Sequence, residues 1–415
     1  MKIRPLLATV LFATAALSLA GCSQSAKADH GKVKLAINYY SGGISKAAIA
    51  NAKHHFKDYT LDFKQVASDG SFDTKLKASL NSSAAPDITM INSNIADYTP
   101  YYKKFVNLQD FGTKALAPHY VAWKWRATLA DHDRYQMAMP VDIGPTALFY
   151  NVANFKQAGL PTAPDAVSNL IKDPDAYLAA AAKLKAQHIA MFESSSETFS
   201  AAYNAMSEHI YAPNGKLTFA HGQLKQAWDF SVKALQAGYM LNTEANTTDG
   251  VVAEKKGQFS GMIKASWGIA DLKENGVKPG DWAIAKSPLK PSNYGGSYLA
   301  VIKTTKQPKA AAAVVKYLTN AKNQKANYDE LSLFPSHTAA YDDQFMATTN
   351  PLFGDEQYNK YFVESAKHLH FNATDSRESA AYDCFTKQLD LVTNQHKDPK
   401  RAWQDAVAKV RALQS

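Results

Sequence analysis

Asp142 has the most constrained setting of any acid in this chain. It lies in Met139-Pro140-Val141-Asp142-Ile143-Gly144-Pro145, where two prolines and a glycine restrict the backbone. A carboxylate held there could accept two hydroxyl hydrogen bonds, or act as a hinge, solvated or capping group. Trp267, between a strand end and Gly268, offers a flat ring that could form a stacking floor or fill a core. Gly295-Gly296-Ser297 permits close backbone approach, so its N–H groups or the Ser297 hydroxyl could face a ligand; a plain hinge turn would use the same residues. Tyr39 and Tyr40 end an alternating stretch and open Ser41-Gly42-Gly43, and alternation sends the two rings to opposite faces. Asn38, Asn92 and Glu193 are further polar candidates, and Trp123, Trp125 and Tyr294 further aromatic ones. These types hydrogen-bond and stack. Trp282 and Tyr341 read as packing residues.

Other chemistries find little support. The closest histidine pairs, His54-His55 and His368-Leu369-His370, belong to no spaced ligand set, and there is no His-Glu-x-x-His, so no metal site is expected. No Gly-x-x-x-x-Gly-Lys-Ser/Thr occurs, and no cofactor is implied. A glycan-degrading enzyme would need two carboxylates roughly 5–10 Å apart, and no pair is marked. The formal charge of +9 is mild and dispersed, with no basic stripe, so nucleic acid is not an expected partner. With 415 residues, 46% of them apolar, the chain can form two domains.

The first residues carry their own signal. Lys2 and Arg4 precede an apolar stretch from Pro5 to Ala20, shorter than the roughly 20 residues that span a bilayer. Leu19-Ala20-Gly21-Cys22 resembles the bacterial lipobox. That resemblance implies removal of a signal peptide at 1–21 and lipidation of Cys22. It implies a membrane partner reached through a lipid anchor, and residence on the outer face of the cell membrane, in a Gram-positive bacterium. Residues 22–31 are small and polar and read as a tether. Cys384 is then left without a disulfide partner and reads as a buried structural thiol in a periodic helix.

The elements that must position the candidates follow from periodicity. Residues 32–40, 61–66 and 86–91 read as strands separated by helices, an α/β pattern with a mostly parallel sheet. Residues 146–150 read as an apolar strand, with Asn151 capping the next helix and Gly159 closing it. Helices are expected at about 197–210 and 221–237, and strands at 261–263 and 298–302. Asp173-Pro174 and Asp398-Pro399 read as helix starts. Asp375 and Glu378 have capping-box spacing. The last helix should bury Trp403, Ala406, Val407, Val410 and Leu413.

Several segments in order resemble the extracellular solute-binding proteins of ABC importers, in the branch of maltose- and oligosaccharide-binding proteins. They are Ala84-Ala85-Pro86-Asp87-Ile88, Met139-Pro140-Val141-Asp142 with Leu148-Phe149-Tyr150-Asn151, and Gly257 to Met262 through Ser266-Trp267-Gly268 to Gly295-Gly296-Ser297. Pro308-Lys309-Ala310-Ala311 and Phe334-Pro335 continue the series. The resemblance implies a two-lobed periplasmic-binding-protein-like α/β fold with a hinge and an interlobe cleft. Lobe one would comprise 31–140 plus 298–341, and lobe two 145–293 plus 345–415. It implies a small-molecule ligand, a mono- or oligosaccharide, held at Asp142, Trp267 and the other candidates above. It also implies an ABC transporter permease as partner, a monomer, and no catalysis. A peptide or polyamine is the alternative ligand. The family's usual acidic residue soon after the first strand is absent; Asn38-Tyr39-Tyr40 stands there.

Overall fold

Buried Leu35 and Ile37 alternate with exposed Lys34 and Ala36 along the first strand, so its pleat has one core face. The computed structural model describes residues 32–67, 70–82, 84–212, 214–244, 247–369 and 375–414. The expected signal peptide at 1–21, Cys22, the expected tether at 22–31 and His370 lie outside the described residues. In chain order the strands are β1 (Val33–Tyr40), β2 (Tyr59–Val66), β3 (Ile88–Ile91), β4 (Leu129–Ala130), β5 (Tyr135–Gln136) and β6 (Ala138–Pro140). They continue as β7 (Asp142–Ile143), β8 (Thr146–Asn151), β9 (Gly261–Ala265), β10 (Trp282–Ala285), β11 (Tyr298–Val301) and β12 (Phe334–Pro335).

The protein is an α/β, two-lobed fold of the periplasmic-binding-protein kind. A five-stranded sheet, in the order β2-β1-β3-β11-β6, forms the centre of the first lobe. The pairs β1–β2 and β1–β3 are parallel, as strand–helix–strand order predicts. β11 is antiparallel to both β3 and β6, which corrects the expectation of a mostly parallel sheet. β11 comes back from the other lobe rather than from a helical crossover on the same sheet, so nothing requires it to run with its neighbours. The second lobe holds a three-stranded antiparallel sheet, β10-β8-β9.

β8 shows why an unbroken apolar run was needed there. Ala147 and Phe149 pack in one core with Met262, Ile269 and Phe362. Leu148 and Tyr150 point to another, with Phe155, Tyr177 and Leu184. The strand is covered on both faces, so alternation cannot appear in its sequence. The caps expected at Asn151, Asp173 and Asp398 are all formed, each side chain accepting a backbone N–H from the first turn.

A third core in the second lobe is helical. It joins Ser195–Asn204, Gln223–Gln236, Glu378–Gln395 and Pro399–Ala412 around Phe199, Trp228, Phe385 and Ala406. Four local expectations are corrected there. The helix expected to 210 ends at Asn204. The capping box is not formed: Asp375 is engaged by the Arg377 guanidinium, and Glu378 accepts from Tyr203 Oη (2.6 Å) and the backbone N–H groups of Ile210 (2.8 Å) and Tyr211 (3.2 Å). Glu378 thus docks a neighbouring loop instead of closing its own helix. Leu413 is exposed, because it is the C-cap residue beyond the packed turns. Cys384 is half-buried, its Sγ donating to Ala380 O, rather than sealed in the core.

The helix Ala321–Leu331 serves both lobes. Asn327 accepts from Ser45 N (3.0 Å) and Oγ (2.9 Å) of the first lobe, while Tyr328 bonds Asn359 and packs in the second lobe's core.

Candidate functional site

Three stretches of chain run side by side between the two sheets. β7 pairs with β12, Ile143 opposite Phe334 and Asp142 opposite Pro335. The third stretch, 292–297, lies along 141–146. Val141 N donates to Ser297 O (3.0 Å), Tyr294 N to Gly144 O (2.7 Å), and Thr146 N to Ser292 O (3.1 Å). Asn293 closes the ladder, its Oδ1 accepting from Gly144 N at 2.7 Å. Pro140, Pro145 and Pro335 remove backbone donors in this region, so the remaining N–H groups specify one register.

These crossings floor a cleft of about 440 Å³. From the first lobe come Tyr40, the Ser41–Gly43 loop, Met90, Asn92 and Ser93; Leu333 closes it near β12. From the second lobe come Asn204 and Trp267, and from the crossings Asp142, Tyr294, Gly295, Gly296 and Ser297. A continuation of about 250 Å³ shares Ser93, Asn204 and Gly295 and adds Trp123, Tyr203, Asn293 and Tyr298 among others.

Trp267 is half-buried and sits just after β9, where Ser266 Oγ donates to Ser332 O (2.6 Å). Its ring lies against both crossings: a Cβ on Gly144 would fall 2.5 Å from Trp267 Cη2, so only glycine leaves room for the ring. Tyr40 ends β1 with its ring edge-on to Phe72 at 5.2 Å. Burial first, and then the Asp73 charge, hold the Tyr40 phenol above its usual range. Tyr39 faces the other side of the sheet, edge-on to Phe63. Asn92 lies just past β3, its Oδ1 accepting from Ser93 N at 2.8 Å.

Asp142 is 3% exposed. Its Oδ1 accepts from Ser297 N (2.8 Å) and Ser297 Oγ (2.6 Å), tying the first crossing to the second. Burial pushes its carboxyl above the usual range, opposed by the Lys124 charge and by the two Ser297 hydrogen bonds.

The remaining candidates are spread out. Asn38 is half-buried within β1, beside Lys64 and Thr89, and is not among the cleft-lining residues. Trp125 is packed in the first lobe's core against Tyr120. Its helical neighbour Trp123 points instead to the cleft continuation. Glu193 is 4% exposed and lines a separate small cavity with Glu197, Tyr177 and Lys264. Burial raises its carboxyl to about 7, against the Lys264 charge and with help from Glu197, Glu254 and Glu244. Trp282 is buried and Tyr341 bonds Pro335 O, both in packing roles. Sequence reasoning missed Asn204, Ser93, Met90 and Leu333 on the cleft wall. Their types are ordinary, and only the approach of distant segments brings them there. Among the described residues, no group of three or more His, Cys, Asp or Glu could hold a metal ion.

The sequence pattern of the bacterial extracellular solute-binding proteins matches residues 47–354, which include every strand but β1 and all three crossings. The chain belongs to that family. An extracellular solute-binding protein of family 1, known from a crystal structure, is 26% identical to this solute-binding protein. Its TM-score is 0.83, over 92% of this chain and 99% of that one. An ABC-transporter-associated binding protein from B. animalis subsp. lactis Bl-04, solved with β-1,6-galactobiose, has 19% identity and a TM-score of 0.74 over 92% and 96% of the two chains. The Listeria monocytogenes substrate-binding protein Lmo0181, solved with cycloalternan, has 14% identity and a TM-score of 0.75 over 92% and 99%. These last two likenesses establish the fold alone. No curated protein sequence matches this solute-binding protein.

Proposed function

We propose that this protein captures a carbohydrate between its lobes and delivers it to the permease of an ABC importer. The observation that carries the reading is the make-up of the cleft wall. Trp267, Tyr294 and Tyr40 bring aromatic rings, while Asn92, Asn204, Ser93 and Ser297 bring amides and hydroxyls. Sugar rings present C–H faces to aromatic planes and hydroxyls to amides and carboxylates. The ligand site is proposed to include Asp142, Trp267, Tyr40, Asn92, Tyr294 and Gly295–Ser297, with Trp123 at its far end. Two similarly folded proteins solved in complex with β-1,6-galactobiose and with cycloalternan support the same class.

Among the described residues Asp142 is the one acid lining the main cleft, so a polyamine finds little countercharge and a glycosidase pair is not assembled there. Binding works by population shift. A solute touching both lobes stabilises the closed form in proportion to its extra contacts there. The lobes are proposed as 31–140 with 298–341, and 145–293 with 345–415, the helix 321–331 bracing the joint. Lipidation at Cys22 would hold the protein, as a monomer, on the outer face of the membrane and raise its concentration near the permease.

Calorimetric titration against a glycan panel tests the ligand class. Binding of a mono- or oligosaccharide, lost in Trp267→Ala, supports it. A peptide or polyamine that binds while no glycan does at about 1 mM, a free energy near −4 kcal/mol, overturns it. Metabolic labelling with a fatty acid, compared with Cys22→Ala, tests the anchor.

A further inference from the structure

We propose that Lys124 is a positioning residue of the cleft: it is the internal counter-cation that keeps Asp142 an anionic acceptor while Ser297 joins the two crossings. The inference rests on the reading of Asp142 as part of the solute site.

Lysine is almost never fully buried without a partner. Lys124 is 0% exposed, and among the described residues its Nζ has no hydrogen-bond acceptor. The protein has nonetheless shaped a slot for it. The ammonium lies 3.7 Å from the centroid of the Tyr298 ring, whose π face attracts a cation. Its other wall is Gly296: a Cβ there would fall 2.8 Å from Lys124 Nζ and 2.6 Å from Asp142 O. Gly296 also has φ +89°, so glycine is required twice over at this point. The cleft-lining backbone at Gly296 is therefore moulded to a buried charge directly beneath it.

The titratable group acting on that charge is Asp142 from β7; Tyr298 from β11 meets it with the face of its ring, and Arg126, on its own helix, is exposed. Asp142 is the acid whose charge supports the protonated amine, and Lys124 is the foremost group opposing the burial of Asp142. Burial drives the Lys124 amine down to about 7, so the cation is held at a cost. An apolar side chain of similar volume would fill the slot with equal or better stability. Retaining lysine makes sense if the charge has work to do on Asp142. With the cation in place Asp142 can accept from Ser297 and from solute hydroxyls at once. Without it, a carboxyl buried to this degree takes up a proton and becomes a donor, which inverts its preference for a hydroxyl's hydrogen.

The test is carboxyl and lysine-side-chain NMR titration of the sugar-free full chain, wild type against Lys124→Met and Asp142→Asn. In Lys124→Met the Asp142 midpoint should rise by roughly 1–3 pH units. In Asp142→Asn the Lys124 midpoint should fall by a comparable amount, because the coupling is reciprocal. A merely structural role for Lys124 would lower stability and leave both midpoints in place. Midpoints that stay within about 0.3 unit, well under one charge pair's effect, overturn the proposal, as does movement of one without the other. If Lys124→Met does not fold, the Asp142→Asn arm decides alone. No sugar is present, so failure of the carbohydrate reading and failure of this one are told apart.

Discussion

At the scale of single residues the cleft depends on three close approaches. Trp267 meets Gly144 and Gly295, Gly296 meets Lys124, and Asp142 meets Ser297. Trp267→Ala removes the ring that both crossings support. Sugar affinity should fall about tenfold or more, on the order of 1.5 kcal/mol, measured by calorimetry, with little change in melting temperature. Gly296→Ala must place a Cβ against Asp142 O in a left-handed conformation, so about 1–3 kcal/mol of stability should be lost, read from denaturant midpoints. Glu193 gives a pH test. Its folded carboxyl titrates near 7 against an ordinary 4.5, so the native state holds a proton that the unfolded chain releases between those values. Its contribution is therefore present below about pH 4.5 and is lost as pH rises through 7. Glu193→Gln should gain stability relative to wild type at pH 8 but not at pH 4, as thermal melts at the two values would show.

At the scale of elements, helix ends separate two kinds of acid with similar sequence signatures. Asp398 accepts from Arg401 N and caps its helix, so Asp398→Ala should cost about 1 kcal/mol. Asp375 has the same look in sequence but binds Arg377, and the helix behind it begins without a side-chain cap. Asp375→Ala should leave that helix intact by circular dichroism. Glu378→Ala strips the acceptor from Tyr203, Ile210 and Tyr211 together and should cost more than either, in the range of about 2–3 kcal/mol. Urea titrations of the three variants would order them. Strands were legible where one face is exposed, as in β1, and where a run is apolar throughout, as in β8. The direction of β11 was not, because strand polarity in a sheet depends on where the chain returns from, and a strand's own composition is the same either way.

At the scale of the whole molecule, the lobes are linked by crossings with an ordered ladder of hydrogen bonds, and the helix 321–331 binds both sides. Closure should therefore be a rotation about these strands rather than a loosening of them. Small-angle scattering should give a smaller radius of gyration at saturating sugar than without it. Ser297→Ala, which removes one of the two bonds from Ser297 to Asp142, should reduce that difference or raise the sugar concentration needed to reach it.

The pattern of apolar and small residues was enough to specify the α/β class, most strands, the helix caps at Asn151, Asp173 and Asp398, and the two glycine- and proline-marked crossings. Those are local matters: pleat, turn and cap chemistry act over a few residues and leave their mark in a short stretch. Which aromatic faces the cleft was decided elsewhere. Trp123 and Trp125 are two apart on one short helix, yet one lines the cleft continuation and the other fills a core. Lys124 between them carries no mark in sequence of the burial that β7 and β11 impose on it. Its burial depends on Tyr298 and Gly296, more than a hundred residues away, and even Asp142, 18 residues on, lies in a different element, so no local spacing carries that information.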